Sequence, residues 1–291
     1  YDVDNSLRGT RGDSNYLSRT FSTGNRDQWT WSAWVKKNSN GNVIALFSSW
    51  ADSNNNSVLN FTDEDTLQYK DKAAGSTQAQ LTTNRKFKDP AAWYHIVLTY
   101  DSGNGTAGNR IRLYINGVEE TSFGTDTMPG QNNDSTINRS GAHYLGTDDT
   151  SGYYLDCYLA EVRFVDGLAL DPTSFGEFDS DSPTIWKPIN VSGLTNGTNG
   201  FYLEFKQSGT SQNSSGLGAD TSGEDHHFAV TNFAATDQST DTCTNNFCVM
   251  NPILGALYTP NFTQGNLQVA QSNNNQHAVT HGTFAVTKGV W

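Results

Sequence analysis

One stretch, RIRLYINGVEE at 110–120, constrains the fold of this chain more than any other. Its apolar residues occupy every second position: Ile111, Leu113 and Ile115. Successive side chains of a strand point to opposite faces, so these three residues share one face. Asn116-Gly117 then supplies a type I′ turn, which needs φ > 0 at both central residues. The stretch predicts an antiparallel hairpin whose apolar face must be covered by other strands.

Further strand signals follow along the first 178 residues, most of them with apolar alternation, and 42–48 as a candidate for a fully buried strand. Strands are predicted at 29–37, 42–48, 57–61, 66–70, 93–100 and 158–167. In the first of these, Trp29 and Trp31 share a face, and we assign both rings and Trp93 to the core. No stretch keeps a 3.6-residue apolar period over about 12 residues, the length of a typical helix. The sequence therefore predicts an all-β protein in which two antiparallel sheets pack face to face.

Composition agrees with a loop-rich β protein and argues against two classes of partner. Aromatic residues make up 12% of the chain, which is enough for a core and unlike disordered chains. A net charge of −12 argues against a phosphate backbone as ligand, so no nucleic-acid partner is expected. No run of about 18 apolar residues occurs, so no membrane insertion is expected.

A change of composition after residue 178 predicts a boundary. Residues 1–178 are assigned to the sandwich. Residues 179–280, rich in Asn, Gln and Thr, are assigned to an extended connector with short strands, packed on the sandwich or on neighbours. Within it, 200–205 is one clear strand and 227–233 is predicted to be its partner. Residues 281–291, HGTFAVTKGVW, are assigned to the start of a further domain.

Three motifs occur in a fixed order along the chain: WYHIVLTY at 93–100, RIRLYINGVEE at 110–120 and YLAEVRFVDG at 158–167. Together they resemble the laminin G-like branch of the concanavalin A-like sandwiches. That family combines a W-Y-H-[IV] strand, an L-Y-[VI]-N-G hairpin and an A-E-V strand. The resemblance implies a jelly-roll sandwich with a lectin-like function. Cys157 stands where the family usually has Gly.

A narrower resemblance covers 164–252. The runs DGLALDPTSFGEFDSDSPTIWKP, TNGFYLEF and TNNFCVMNP are similar to structural proteins of tailed phages, especially marine ones. There a SPRY-like sandwich commonly follows, and 281–291 resembles its opening strands. The resemblance implies a fibre, spike or capsid-attached appendage on the virion surface, with other virion proteins as partners and homo-oligomers, trimers being favoured. The alternatives are a secreted or cell-surface lectin-like adhesin and a polysaccharide-degrading enzyme.

Loop aromatics with polar neighbours predict a rim that binds host or environmental glycans. Sugars stack on exposed aromatic rings and hydrogen-bond to carboxylates and amides. The candidates are Trp50, Tyr153 and Tyr154 with Asp52, Asn54 and Asp149. The alternative for each ring is that it packs beneath its own loop.

Many relatives of the resembled family hold Ca²⁺, so the resemblance implies a calcium site here and no other cofactor. Ca²⁺ takes six to eight oxygen ligands from flexible loops. The candidates are Asp148, Asp149 and Asp156, with Asp13 and Asn15 near them. The alternative is that these are solvated loop residues. The calcium hypothesis predicts a melting temperature that rises with calcium and falls on chelation.

Catalysis is not expected from this sequence. Glycosidases of the resembled superfamily carry E-x-D-x-[x]-E on one strand, because retaining chemistry needs two carboxylates on one face. Glu177, Asp179 and Asp181 are the nearest match and lack the second Glu. Cys243 and Cys248 could close a small loop, but free thiols are favoured. No His or further Cys lies nearby, so the pair forms neither a zinc site nor a redox motif.

Overall fold

The computed structural model describes residues 1–148, 152–253, 260–270 and 280–285. These residues form twenty strands and four short 3₁₀ turns. In chain order the strands are β1 (Ser6–Arg8), β2 (Tyr16–Phe21), β3 (Gln28–Lys37), β4 (Ile44–Asp52), β5 (Asn55–Phe61), β6 (Thr66–Ala73), β7 (Ser76–Lys86), β8 (Trp93–Asp101), β9 (Ile111–Ile115), β10 (Val118–Glu119), β11 (Phe123–Thr127), β12 (Gly141–Leu145), β13 (Cys157–Asp166), β14 (Gly176–Phe178), β15 (Trp186–Pro188), β16 (Phe201–Leu203), β17 (Ala229–Thr231), β18 (Gln238–Ser239), β19 (Asn261–Thr263) and β20 (Gln268–Ala270). Among the described residues, no helix has the length and apolar character needed to cross a membrane.

Two large antiparallel sheets form the body of the molecule. The first sheet has the strand order β10-β9-β8-β3-β13-β1-β18, and β16 also pairs with β13. The second has the order β11-β7-β6-β5-β4-β12-β2-β17. The pairs β14–β15 and β19–β20 are separate hairpins. The predicted all-β, two-sheet antiparallel sandwich is confirmed.

The core lies between the two sheets and follows the predicted alternation. Trp29 and Trp31 of β3 are fully buried there, against residues such as Tyr69 and Phe47 of the second sheet. The residues between them face the other way, because successive side chains of a strand alternate. Trp93 is also buried, but it lies in a second cluster that includes Tyr158. All three tryptophans are therefore core residues, in two separate clusters.

The hairpin at 110–120 forms as the sequence predicts. Asn116 and Gly117 have φ values of 50° and 77°, so both occupy the left-handed region that a type I′ turn needs. Val118 pairs with Ile115 directly across the turn. The turn packs on Trp186, and a Cβ on Gly117 would lie 2.3 Å from that ring.

We expect Gly117→Ala to lower the free energy of unfolding by about 2 kcal/mol. The methyl group overlaps Trp186, and alanine adopts a positive φ poorly. Urea denaturation measures the change. Gly12→Ala is the matched control, because a Cβ there meets no atom within 4 Å, and its effect should stay within about 0.5 kcal/mol. Equal stability of the two variants would contradict the expected overlap.

Residues after 178 contribute strands to both sheets. β16 pairs with the second half of β13, beyond the point where β1 pairs with the first half. β18 pairs with β1, and β17 pairs with β2 at the edge of the second sheet. Phe201 and Phe228 are fully buried in the main core.

One predicted pairing is wrong. The strand within 200–205 was expected to pair with 227–233, but β16 lies beside β13 and β17 lies beside β2. The alternation of apolar residues identifies a strand but not the strand beside it, because pairing depends on which strands of the two sheets still have a free edge. Residues 281–285 are described, and Gly282 forms a bridge with Met250. The rest of the predicted further domain, 286–291, lies outside the described residues.

Candidate functional site

A groove of about 450 Å³ runs over the outer face of the second sheet. Its floor comes from alternate residues of two neighbouring strands: Asn56, Val58 and Asn60 of β5, and Gln68, Lys70 and Lys72 of β6. The intervening residues, such as Leu59 and Tyr69, point into the core. Because successive side chains of a strand alternate, burial of one set places the other set on the outer face.

Strand register arranges the floor in rows. Asn56 lies opposite Lys72, Val58 opposite Lys70, and Asn60 opposite Gln68. Directly opposed residues on neighbouring strands have Cβ atoms about 5 Å apart, so each row is a contiguous patch. The rows continue onto β7, where Gln80 lies opposite Lys70 and Thr82 opposite Gln68. The result is a sheet surface with closely spaced amide, hydroxyl and ammonium groups.

The walls of the groove come from loops and from the end of β4. Trp50 lies opposite Asn56 in the β4–β5 pair, and its ring is half-buried. The remaining wall residues are Val43, Ser53, Thr62, Asp63, Asp148 and Tyr153. Trp50 and Tyr153 bring two partly exposed aromatic rings to the same groove.

Several floor side chains are held by hydrogen bonds. Lys72 Nζ donates to the Ser53 carbonyl oxygen at 2.7 Å, and Gln68 Nε2 donates to Thr82 Oγ1 at 3.0 Å. Asn56 Nδ2 donates to the Asp52 carbonyl oxygen at 3.0 Å. These bonds fix each group on one side and leave Asn56 Oδ1 and Gln68 Oε1 without a donor among the described residues.

Asn60 and Lys70 differ from the other floor residues. Asn60 is 5% exposed, and Nδ2 donates to the Phe61 carbonyl oxygen, but Oδ1 has no partner among the described residues. Unpaired buried polar atoms are rare and costly in native structures. No described residue forms a hydrogen bond or an ion pair with Lys70 Nζ. Beside its aromatic rings the groove therefore presents the unpaired oxygens of Asn56 and Gln68 and one unpaired ammonium, which suits a ligand rich in hydroxyl groups.

The predicted glycan residues fall into two groups in the structure. Trp50 and Tyr153 lie together in the groove. Asp52 and Asn54 build the β4–β5 turn, where Asp52 Oδ1 accepts a hydrogen bond from the Asn54 backbone at 2.7 Å. That backbone bond and those from Asn55 lower the pKa of Asp52. Both residues are used structurally next to the groove.

The two remaining glycan candidates lie elsewhere. The Tyr154 ring stacks on Tyr16, with a centroid distance of 6.5 Å and an interplanar angle of 18°. This is the packed alternative considered for each ring. Asp149 lies outside the described residues. A role for these residues in glycan binding stays a prediction.

The candidate calcium ligands are largely occupied by the protein itself. Asn15 Oδ1 accepts from the Thr10 backbone at 2.9 Å, and Nδ2 donates to the Asn232 carbonyl oxygen. Asp156 is buried and accepts from Ser39 and Asn38, and burial raises the pKa of its carboxyl group. These contacts fit a structural role better than a set of metal ligands.

Asp13 is exposed in a 3₁₀ turn, and Asp148 lies in the groove wall. The described residues hold no group of three or more His, Cys, Asp or Glu side chains that could bind a metal ion. Asp149, the remaining candidate, lies outside them. The calcium site stays a prediction.

The acidic run considered for catalysis forms a structural clamp. Glu177 and Asp179 both pair with Lys187, at 3.4 and 3.2 Å, across the β14–β15 hairpin. Asp179 Oδ1 also accepts from the backbones of Asp181 and Ser182. Cys157, Cys243 and Cys248 are all free thiols.

Most of the groove floor escaped sequence analysis. Asn60, Gln68 and Lys70 lie within the strands predicted at 57–61 and 66–70, and Asn56 lies just before the first of them, but no face of these strands was assigned to a site. The available signal was the polar face, which carries amides and lysines in two consecutive strands. Their grouping depends on cross-strand register, which single strands do not reveal.

Comparison with known proteins identifies the family. The family described as the concanavalin A-like lectin/glucanases superfamily matches residues 10–173. Because the match spans more than half of the chain, the chain belongs to this family. The predicted laminin G-like, concanavalin A-like resemblance is thereby confirmed. A search of curated proteins finds no match.

Solved structures with a similar fold come from diverse organisms. A SAP-like pentraxin from Limulus polyphemus is 19% identical, with a TM-score of 0.42 over 58% of this chain and 79% of the pentraxin. A putative carbohydrate binding protein from Bacteroides ovatus is 14% identical, with a TM-score of 0.49 over 79% of this chain and 58% of that protein. Mouse laminin α1 domains LG4-5 are 13% identical, with a TM-score of 0.39 over 74% of this chain and 51% of the laminin structure. At such values these likenesses carry no conclusion about ligand or activity.

Proposed function

We propose that this protein is a non-catalytic, glycan-binding module that holds its ligand in the groove on the second sheet. The observation that carries the proposal is the convergence of Trp50 and Tyr153 on a floor of amide and lysine side chains. Membership of a superfamily that includes lectins supports it.

The chemistry of the groove matches that of a carbohydrate. A sugar ring has an apolar C–H face and a rim of hydroxyl groups. Trp and Tyr rings offer flat apolar surface with a polar end, and amides both donate and accept hydrogen bonds. The unpaired oxygens of Asn56 and Gln68 can accept hydrogen bonds from the hydroxyl groups of a sugar.

The absence of catalysis is part of the proposal. The acidic run that came closest to a glycosidase motif is engaged with Lys187 in a hairpin. Two carboxyl groups about 5 Å apart, or about 6.5–9.5 Å apart in inverting enzymes, would be needed on either side of a scissile bond. Incubation of the protein with the oligosaccharides that it binds should therefore release no new reducing ends.

We expect Trp50→Ala to weaken glycan binding by about tenfold or more, because buried aromatic anchors dominate binding energy. A glycan array identifies ligands, and calorimetry then compares the wild-type and variant proteins. Phe178→Ala is the control: it removes an exposed ring, 43% accessible, from the β14–β15 hairpin away from the groove. Equal affinity of Trp50→Ala and wild type would place the ligand elsewhere.

The proposed setting is the virion surface of a tailed phage, in a structural and adhesive appendage. The similarity of 164–252 to phage structural proteins supports it, and the partners would then be other virion proteins in a homo-oligomer, a trimer being favoured. A secreted or cell-surface adhesin is the alternative. Peptide identification of proteins that co-purify with this one from its source separates the two, since capsid or tail proteins are expected only for the first.

A further inference from the structure

We propose that the groove selects glycans carrying a negatively charged substituent, a carboxylate or a sulfate, through Lys70. The inference rests on the proposed glycan-binding function and specifies its ligand class. It follows from where Lys70 lies and from what surrounds it.

Lys70 occupies the middle of the groove floor. It lies between Val58 on β5 and Gln80 on β7, in the central of the three rows. Its side chain is half-buried and lines the groove. A ligand that lies along the floor must pass over it.

The surroundings of Lys70 are unusual for this protein. The chain has 30 acidic and 18 basic residues, yet the outward positions around Lys70 on β5, β6 and β7 carry no acid. They are Asn56, Val58, Asn60, Gln68, Lys72, Gln80 and Thr82 by strand register, and Gln78 by the alternation of burial along β7. Asp63 and Asp148 lie in the groove walls, on loops beyond the strand ends. The floor is therefore a local positive region on an acidic protein.

The two lysines of the floor have different tasks. Lys72 donates to the Ser53 carbonyl oxygen and so fixes the β4–β5 turn at the side of the groove. Among the described residues, the Lys70 ammonium has no such partner. A lysine ammonium is a compact point charge with three donors, which suits a carboxylate or sulfate oxygen. Neutral sugars offer no group that compensates this charge.

Matched pairs of oligosaccharides that differ only in charge test the inference. The pairs are oligogalacturonate with its methyl ester, a κ-carrageenan oligosaccharide with its desulfated form, and sialyllactose with lactose. We expect the acidic member of at least one pair to bind about tenfold more tightly, as a charge-assisted hydrogen bond implies. Which pair responds distinguishes carboxylate from sulfate. The preference should shrink as salt is raised.

Two variants assign the preference to Lys70. Lys70→Gln should bring the acidic-to-neutral affinity ratio close to one. Lys187→Gln removes the same charge from an exposed ion pair in the β14–β15 hairpin and should leave the ratio unchanged. Circular dichroism confirms that both variants are folded.

The failures of the inference and of the proposed function are separable. Equal affinity within every pair, or a preference that persists in Lys70→Gln, would overturn the selection for charge while glycan binding stands. Binding of neutral glycans alone would have the same meaning. If no glycan on the array binds the wild-type protein, the proposed function falls, and the inference falls with it.

Discussion

Asp241→Ala is expected to lower the free energy of unfolding by about 3–5 kcal/mol, the typical cost of breaking a buried ion pair. Asp241 Oδ2 lies 2.9 Å from Lys36 Nζ, and the two side chains are only 2% and 1% exposed. Trp93 Nε1 donates to the other carboxylate oxygen at 3.2 Å. Removing the carboxylate leaves a buried ammonium without its counter-charge and an indole N–H without its acceptor.

The same contact tests how the chain after residue 178 relates to the sandwich. Lys36 also donates to Asn246 Oδ1 and to the Phe247 carbonyl oxygen, so one strand lysine holds the whole segment 241–247. If that segment unfolds separately from the sheets, Asp241→Ala should change only a minor transition. If the segment and the sandwich form one cooperative unit, the single main transition should shift.

Urea denaturation followed by tryptophan fluorescence and by circular dichroism makes the measurement. Glu64→Ala is the control, because its ion pair with Lys86 is exposed, at 76% and 46%, and should contribute less than about 1 kcal/mol. The double change Lys36→Met with Asp241→Leu should recover much of the loss, since apolar residues can replace a buried pair. A cost below 1 kcal/mol for Asp241→Ala would contradict burial of this pair.

Lys36 also shows where prediction from sequence ends. The strand at 29–37 was predicted from its alternation, and the apolar face with Trp29 and Trp31 follows from that pattern alone. Two lysines end this strand, and although lysines are almost never fully buried unless paired, both are about 1% exposed. Lys36 is covered by the 241–247 segment and Lys37 pairs with Asp65 at 2.7 Å. Their burial depends on distant segments, and alternation within one strand contains no such information.

Prediction of the groove residues meets the same limit, because their grouping also depends on segments that are distant in the sequence. Trp50 and Tyr153 could be selected from sequence because aromatic residues with polar neighbours stand out, although Trp50 lies at the end of β4 and not in a loop as predicted. Lys70 and Gln68 look like ordinary solvent-facing strand residues. They become a candidate site only when the β5–β6–β7 register places them in rows. Local pattern predicts elements and their apolar faces, whereas partners and sites depend on pairing across the sheet.

The second large effect concerns Glu161, a carboxyl group of β13 that is 8% exposed. It lies where the register between β13 and β3 shifts, and its φ is 52°. Its Oε2 accepts hydrogen bonds from Tyr202 Oη and from Tyr1 Oη, the latter at 3.1 Å. Burial is the largest influence and raises the pKa of Glu161 from 4.5 to about 7, although the Tyr202 hydrogen bond opposes it.

The raised pKa makes stability depend on pH with a definite sign. Between pH 4.5 and about 7 the folded protein keeps a proton on Glu161 that the unfolded chain has released. The free energy of unfolding therefore falls as pH rises through this window, and the contribution is fully present below pH 4.5 and lost above about 7. The difference between a pKa of 4.5 in the unfolded chain and about 7 in the folded protein corresponds to about 3 kcal/mol of unfolding free energy.

Glu161→Gln should remove this dependence, because the amide stays neutral and its oxygen can still accept from Tyr202. We expect the variant to match the wild type near pH 4.5 and to be more stable by about 3 kcal/mol at pH 8. Urea denaturation at several pH values measures the difference. Buried Asp71 and Asp156 also have raised pKa values, and subtracting wild type from variant cancels their contribution.

Glu177→Gln is the control for this comparison, because that carboxylate is 58% exposed and its loss should leave the pH profile of the wild type unchanged. A stability difference between Glu161→Gln and wild type that does not vary with pH would mean that Glu161 titrates as in water. The carboxyl group would then be hydrated in solution, and its contacts with Tyr1 and Tyr202 would be open. A difference that grows between pH 4.5 and 7 instead requires Glu161 to stay packed against Tyr1 and Tyr202, since burial is the largest influence that raises the pKa of this carboxyl, ahead of the charge of Glu204.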